Sequence, residues 1–306
     1  MPSPIELFVS LSEEGERLDH FIRARLNGVS RGSVARLIER GQVMVAGRRL
    51  KKGHRVSAGQ HVVIAAASWD EAVLPQPELP LRVILTRPHM VVVNKDAGVA
   101  CHPLVPGETD TMANAIVGHF PECGDASPRP REGGLVHRLD YGTSGLLIAA
   151  RTRSAYTNLR AMFSGSEIAK EYLALVVGHV DRRHLVDLPI EGMPGDRRRV
   201  RVVRERSDRG QPASSEVLPE ALFAERDERA PTTLVRVKCS TGRRHQVRVH
   251  MSSLGHPLVG DPLYGGPVWP DVHGAFLHAH RMKVAGDRLE AGLPTDRLDL
   301  LRELAT

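Results

Sequence analysis

Cysteine is scarce in this chain: three in 306 residues, Cys101, Cys123 and Cys239, odd in number and far apart. Such spacing argues against a disulfide framework and against a paired-cysteine zinc knuckle. Long apolar runs are missing too. No stretch approaches the roughly 18 consecutive apolar residues that read as a membrane span, so no membrane partner is expected. The opening MPSPIELFVS lacks a basic start followed by an apolar core, and a secretory leader is therefore not expected. These absences together point to a reducing cytoplasm. Internal repeats and low-complexity blocks are also lacking.

What is there is an ordinary soluble balance, 41% apolar and 25% charged residues, with a formal net charge of +6. The excess favours a polyanionic partner, and its distribution says more than its total. The segment DRRRVRVVRERSDR, residues 196–209, carries seven arginines.

Residues 1–64 read as a first unit. Leu18, Ile22 and Leu26 fall at helical spacing. Ser30 suits the N-cap of a second helix bearing Val34, Leu37 and Ile38, with Gly41 as its stop. Arg31 lies in that helix's first turn, and Arg36 and Arg40 stand one turn apart. Short strands follow in QVMVAGRRL and HVVIAA, with Ala46-Gly47 and Lys51-Lys52-Gly53 as turns. Pro75, Pro77 and Pro80 then stiffen residues 65–82, which read as a linker. From residue 83 to 306 short Val- and Leu-rich runs alternate with glycine and proline. Helical patterns cover only residues 154–163, 244–254 and the C-terminal TDRLDLLREL. Many strands with few scattered helices predict an α+β fold on a mostly antiparallel sheet.

Three segments of the second unit could carry chemistry. In GGLVHRLDYGTSGLLIAAR, residues 133–151, the polar His137, Arg138 and Asp140 interrupt what reads as a pair of buried apolar strands. In extended geometry Arg138 and Asp140 project to one side. A carboxylate beside a core is costly unless paired. It can serve as nucleophile, base or anchor. In IAKEYLALVVG, Tyr172 shares a strand face with Lys170. In STGRRHQVRVHMSSLGHPLVGDPLYGG, Arg244 and Arg248 are four apart on the expected helix, opposite Val247 and Met251. A helix-borne arginine could pair bidentately with a carboxylate brought from elsewhere.

Two other chemistries are weighed against these. His137, Asp140 and Ser144 look like a hydrolase triad, but triad members normally come from separate elements, and Ser144 reads as a turn residue. His278, His280, His250 and His256 could suggest zinc, but no cysteine pair or Glu-bearing helix joins them.

HRLD, AKEYLALVVG and TGRRHQVRVHMSSLGHPLVGDPLYG, in this order and preceded by VVVNKDAGVACHP, resemble the motifs of the RluA-type pseudouridine synthase family. The likeness runs from about residue 84 to 304. RLDHFI, SRGSVARLIERGQVMVAGRRL and the valine-rich end after Gly59 resemble the S4 RNA-binding domain. The resemblance implies a pseudouridine synthase fold with a central cleft behind an S4-like module. It implies isomerisation of RNA uridines without metal or organic cofactor. By the same resemblance Asp140 is the catalytic aspartate, Tyr172 the tyrosine beside the base and Arg248 the aspartate's partner. Arg138 can fill the space left by the flipped nucleotide. His137, Arg244 and Gln246 are expected at the substrate, and Arg31, Arg36, Lys51 and Lys52 near phosphates. A guanidinium beside Asp140 would favour its charged form. The expected partner is RNA, ribosomal before transfer RNA, and the expected working form is a monomer. Departures are few. Asp96 stands where the family has proline, Ser214 and Ser215 where it favours a threonine-containing strand, and the histidine–proline pair often seen near the end is missing.

Overall fold

The computed structural model describes residues 4–26, 31–39, 41–65, 72–104, 107–165, 168–203, 210–226 and 229–306. The chain divides into two compact units, residues 1–74 with 103–109, and residues 75–102 with 110–306. The division at 74/75 falls inside the stretch expected as a linker. Residues 103–109, expected in the large domain, group with the first unit instead.

In the first unit the order is β1 (Ile5–Phe8), α1 (Leu18–Arg25), α2 (Arg31–Glu39), β2 (Val43–Val45) and β3 (His61–Ile64). β3 is central, antiparallel to both β1 and β2. The sequence reading missed β1. The reason is its half-exposed edge position, with Glu6 and Phe8 facing out, which leaves a weak apolar pattern. Ala46 and Gly47 both adopt positive φ, 47° and 74°, as a tight two-residue turn requires. Leu18, Phe21 and Ile22 of α1 are fully buried against Val34, Val62 and Ile64, each contributing about 1.5–3 kcal/mol. Ser30 and Arg40 lie outside the described residues.

The second unit is built on a nine-stranded sheet. Its elements are β4 (Val83–Thr86), β5 (Met90–Lys95), α3 (Met112–His119), β6 (Ser144–Ala150), α4 (Arg153–Ser164), β7 (Lys170–Val177) and β8 (His184–Asp187). There follow β9 (Ile190–Gly192), β10 (Val200–Val202), β11 (Ser214–Phe223), β12 (Thr232–Cys239), α5 (Gln246–Ser253), β13 (Leu277–Val284), β14 (Asp287–Glu290) and α6 (Thr295–Ala305). The order across the sheet is β4-β5-β6-β13-β7-β12-β11-β8, with β14 beside β13, and β9 and β10 form a separate ribbon. Only the β6–β13 pair is parallel, so the expected mostly antiparallel α+β architecture is what is found.

Alternation along β7 explains the layers. Ala174 and Val176 pack with Val247 and Met251 of α5, while Leu175 and Val177 pack with Leu300 of α6 and with Phe276. Successive strand residues face opposite sides, so α5 and α6 cover the two faces of the sheet's centre. Pro219 is tolerated in β11 because β8 pairs only with residues 214–217; beyond them one edge of β11 has no ladder, and the β12 register shifts there. Side-chain caps start two helices. Thr111 accepts from Asn114 N–H in α3, and Thr152 from Ala155 N–H in α4.

Two local expectations are corrected. Residues 133–143 are not a strand: Leu135 makes a single bridge to Ala149, and regular pairing resumes at Ser144. Ser144 is accordingly no turn residue; it opens β6, fully buried, with its hydroxyl 2.9 Å from His278 Nδ1. The second correction concerns α5, which starts at Gln246, so Arg244 precedes the helix and does not share it with Arg248.

Candidate active site

Asp140 sits on the irregular segment ahead of β6, and buried groups from several elements fix that segment. The Cys101 thiol donates to Leu139 O at 3.2 Å and accepts from Leu139 N–H at 3.3 Å. Lys95, fully buried at the end of β5, donates to Asp96 O, Val99 O and Tyr141 O at 2.8, 2.7 and 3.3 Å. Burial brings its ammonium down to about 8. Arg297, buried at the start of α6, donates to Gly142 O at 3.0 Å and Leu277 O at 2.6 Å; burial brings it down to about 10. Gly142 lies against the Gly274 backbone so closely that a Cβ would meet Gly274 Cα at 3.0 Å. The loop is held from below, and the Asp140 side chain keeps 26% of its surface exposed.

Arg248 arrives from α5, 108 residues further along the chain, and its Nη1 donates to Asp140 Oδ2 at 3.0 Å. Its Nε and Nη2 bind both oxygens of Asp261 at 2.7 Å. Asp261 is 1% exposed and Arg248 12%. Burial alone would lower the guanidinium. The hydrogen bond and charge of Asp261, then those of Asp140, outweigh it and hold Arg248 above its ordinary range.

His245 immediately precedes α5 in a left-handed backbone, φ 54°, a strained conformation for a residue with a Cβ. That conformation sets its ring between Tyr264 and Asp140: Nδ1 is 2.9 Å from Tyr264 Oη, and Nε2 3.7 Å from Asp140 Oδ2. Tyr264 Oη accepts from Val200 N–H. The phenol can give its own proton to Nδ1, which leaves the ring proton on Nε2, facing Asp140. Burial lowers His245 below the ordinary imidazole range, against the opposing pull of Asp140.

Asp140, Tyr172, Arg138, Thr143, Thr241 and His245 are among the residues that line one cavity of about 260 Å³. Tyr172 stands on β7, and no described residue accepts from its hydroxyl. Burial, then the neighbouring Cys239 and Asp140, raises the phenol above its ordinary range. The structure therefore brings Asp140, Arg248 and Tyr172 together.

The other expected substrate residues are placed differently. Arg138 is exposed at the cavity rim. His137 Nε2 accepts from Ile148 N–H at 3.1 Å, and its ring stacks on Phe163 at 4.4 Å. Gln246 is buried and bonds Arg243 N–H, Thr241 and Ser214 O, which fixes the turn before α5. Arg244 donates to the carbonyls of Arg197 and Arg199, tying that turn to the arginine-rich ribbon, whose residues 204–209 lie outside the described ones. In the first unit Arg31 and Arg36 fall on α2, and Lys51 and Lys52 are exposed, the latter 3.2 Å from Glu39. His278 and His280 both bond Ala291 O, and among the described residues no cluster of three metal ligands occurs. Asp96 pairs with Arg82 at 3.1 Å. Sequence reasoning missed Asp261, Tyr264 and His245, although GDPLYG and RRHQ lie within the segment it singled out.

Residues 89–253 match the model of the RNA pseudouridylate synthase family, and residues 16–62 that of the S4 domain. A ribosomal large subunit pseudouridine synthase D of Pseudomonas aeruginosa is 34% identical over 82% of this chain and 74% of its own. The protein of the same name from Yersinia pestis is 32% identical over 99% and 96%. Among solved structures, human RNA pseudouridylate synthase domain containing 1 is 26% identical, with a TM-score of 0.55 over 72% of this chain and 85% of that one.

Proposed function

This chain belongs to the RNA pseudouridylate synthase family, and we propose that it isomerises uridines of large-subunit ribosomal RNA, with Asp140 as the catalytic carboxylate. It is an RNA-binding enzyme with an S4 domain at its N-terminal end. The ribosomal target rests on the names of its relatives, the catalytic roles on the site. One observation carries the roles: Asp140, held by Arg248 at 3.0 Å, lines a cavity together with Tyr172.

The reaction breaks the N1–C1′ bond, turns the base, forms C5–C1′ and releases the C5 proton, while N1 gains one. Asp140 supplies the nucleophile, at the ribose or at the base. Arg248 balances its charge and is itself held by Asp261, so the carboxylate need not reorganise when the substrate arrives. The phenyl ring of Tyr172 offers a stacking surface. Its hydroxyl, raised above the ordinary phenol range, is a neutral donor and must pass its own proton on before it can accept another. Reaching the cavity requires the uridine to leave its stack, which costs a few kcal/mol. Phosphate contacts from the basic surface offset that cost. A single chain contains all three residues, which supports a monomer as the working form.

The test is to incubate the protein with an unmodified large-subunit ribosomal RNA transcript and map pseudouridines. Discrete new sites are expected. Modification confined to transfer RNA would overturn the ribosomal assignment, and none on either would overturn the activity.

A further inference from the structure

Adjoining the Asp140 cavity and sharing Tyr172 with it is a second groove, of about 320 Å³, whose lining includes Arg138, Arg160, Phe163, Lys170, Tyr172 and Arg243. Four cations line it, and no described carboxylate does. Lys170 is 4% exposed, yet no described residue accepts a hydrogen bond from it or pairs with it. Its Nζ lies 5.7 Å from the centroid of the Phe163 ring. Lys95, fully buried, has three carbonyls around its ammonium. The Lys170 stem is buried while its ammonium opens on the groove, where an entering anion can reach it.

We propose that this groove binds a backbone phosphodiester of the RNA strand, at a linkage flanking the reacting uridine. The inference rests on the synthase reading above. A phosphodiester oxygen would give Lys170 the acceptor it lacks. Arg160 uses Nη1 on Val136 O, and Arg243 uses Nε on Pro212 O, which leaves each guanidinium further N–H donors for an anion. Gly242 contributes by what it lacks: a Cβ there would lie 3.0 Å from Lys170 Nζ, so the missing side chain keeps that side of the ammonium open. The positive field is felt by a neighbour. Burial and then the charges of Lys170 and Arg160 bring His137 down to about 3. Arg138, Tyr172, Thr241, Gly242 and Arg243 line both this groove and the Asp140 cavity. A strand with its uridine in one therefore runs past the other, and the anion it carries there is its own phosphodiester.

The experiment uses the full-length protein and an RNA spanning a uridine that the wild type modifies, with one linkage at a time replaced by a neutral methylphosphonate. Lys170→Met and Arg160→Gln are compared with wild type, and circular dichroism checks the fold. Methionine suits the test because an apolar chain in that buried place carries no desolvation cost. In wild type, one neutral flanking linkage is expected to lower kcat/KM about tenfold, as loss of a charge-assisted hydrogen bond would. In Lys170→Met and Arg160→Gln, kcat/KM is already low and the same linkage costs nothing further. The proposal is overturned if the folded variants keep wild-type kcat/KM, or if they respond to every neutral linkage as wild type does. It is also overturned if inorganic phosphate at constant ionic strength inhibits equally whether or not the linkage is neutral. A binding arm needs no turnover. The slope of log Kd against log salt should fall in Lys170→Met by about one phosphate contact, and an unchanged slope would overturn the groove even if no uridine were modified.

Discussion

The two cavities that share Tyr172 handle charge in opposite ways. Around Asp140 each carboxylate has its opposite in place: Asp140 faces Arg248, Arg248 grips Asp261, and His245 bridges to Tyr264. On the Lys170 side four cations gather with no described carboxylate among them. The first side is complete without substrate, as a site needs to be if its dipoles are to act without reorganising. The second is completed only when an anion enters. Chemistry and strand binding thus differ in what the protein has already paired.

The sharpest way to break this comparison is Asp140→Asn. If the balanced side does the chemistry and the cationic side holds the strand, isomerisation should fall at least about a thousandfold while RNA affinity stays close to wild type. Single-turnover pseudouridine release beside filter binding checks both; retained turnover would reject the role given to Asp140. Next comes Asp261→Asn, which leaves the buried Arg248 without its bidentate partner. Breaking such a pair costs about 3–5 kcal/mol of stability, read by urea unfolding, and kcat should fall too because Arg248 loses its anchor. Tyr172→Phe keeps the ring but removes the hydroxyl. The expectation is a loss of about a hundredfold or more in kcat with little change in KM.

The smallest effect concerns neutrality on the balanced side. His278 is fully buried under the Asp140 loop, bonded to Ser144 and Ala291 O, and burial brings it down to about 4. Below about pH 6.5 the unfolded chain takes up a proton there that the folded chain refuses until about pH 4. Stability should therefore fall as pH drops through that window, by up to about 1.4 kcal/mol per unit from this group. Urea unfolding at pH 7 and pH 5, in wild type and His278→Asn, would show the variant with the shallower dependence.

Much of this was legible in one dimension. The α+β class, the helices at 153–164 and 295–305 and the hairpin turn at Ala46-Gly47 follow from local periodicity and turn chemistry, which neighbours in sequence control. Asp140 stands out because it interrupts an otherwise apolar pattern, while Tyr172 and Arg248 take their roles from the resemblance of their motifs to the RluA-type family. Arg244 was misplaced because the 3.6-residue spacing runs unbroken past the true start of α5. What begins the helix at Gln246 is the left-handed His245, held by Tyr264 from a later loop. β1 went unseen because an edge strand shows a core only half its residues.

The sequence by itself determined which residues are out of place in an apolar core, and therefore which ones need partners. Motif resemblance named Arg248 for Asp140, and the tertiary structure decided the remaining partners. It set Arg248 between Asp140 and Asp261, clasped the Leu139 backbone with Cys101, and left Lys170 buried without an acceptor among the described residues. The reason is physical: the need to compensate a desolvated charge is local, but the groups that meet it come from wherever the sheet's long-range pairings bring the chain back.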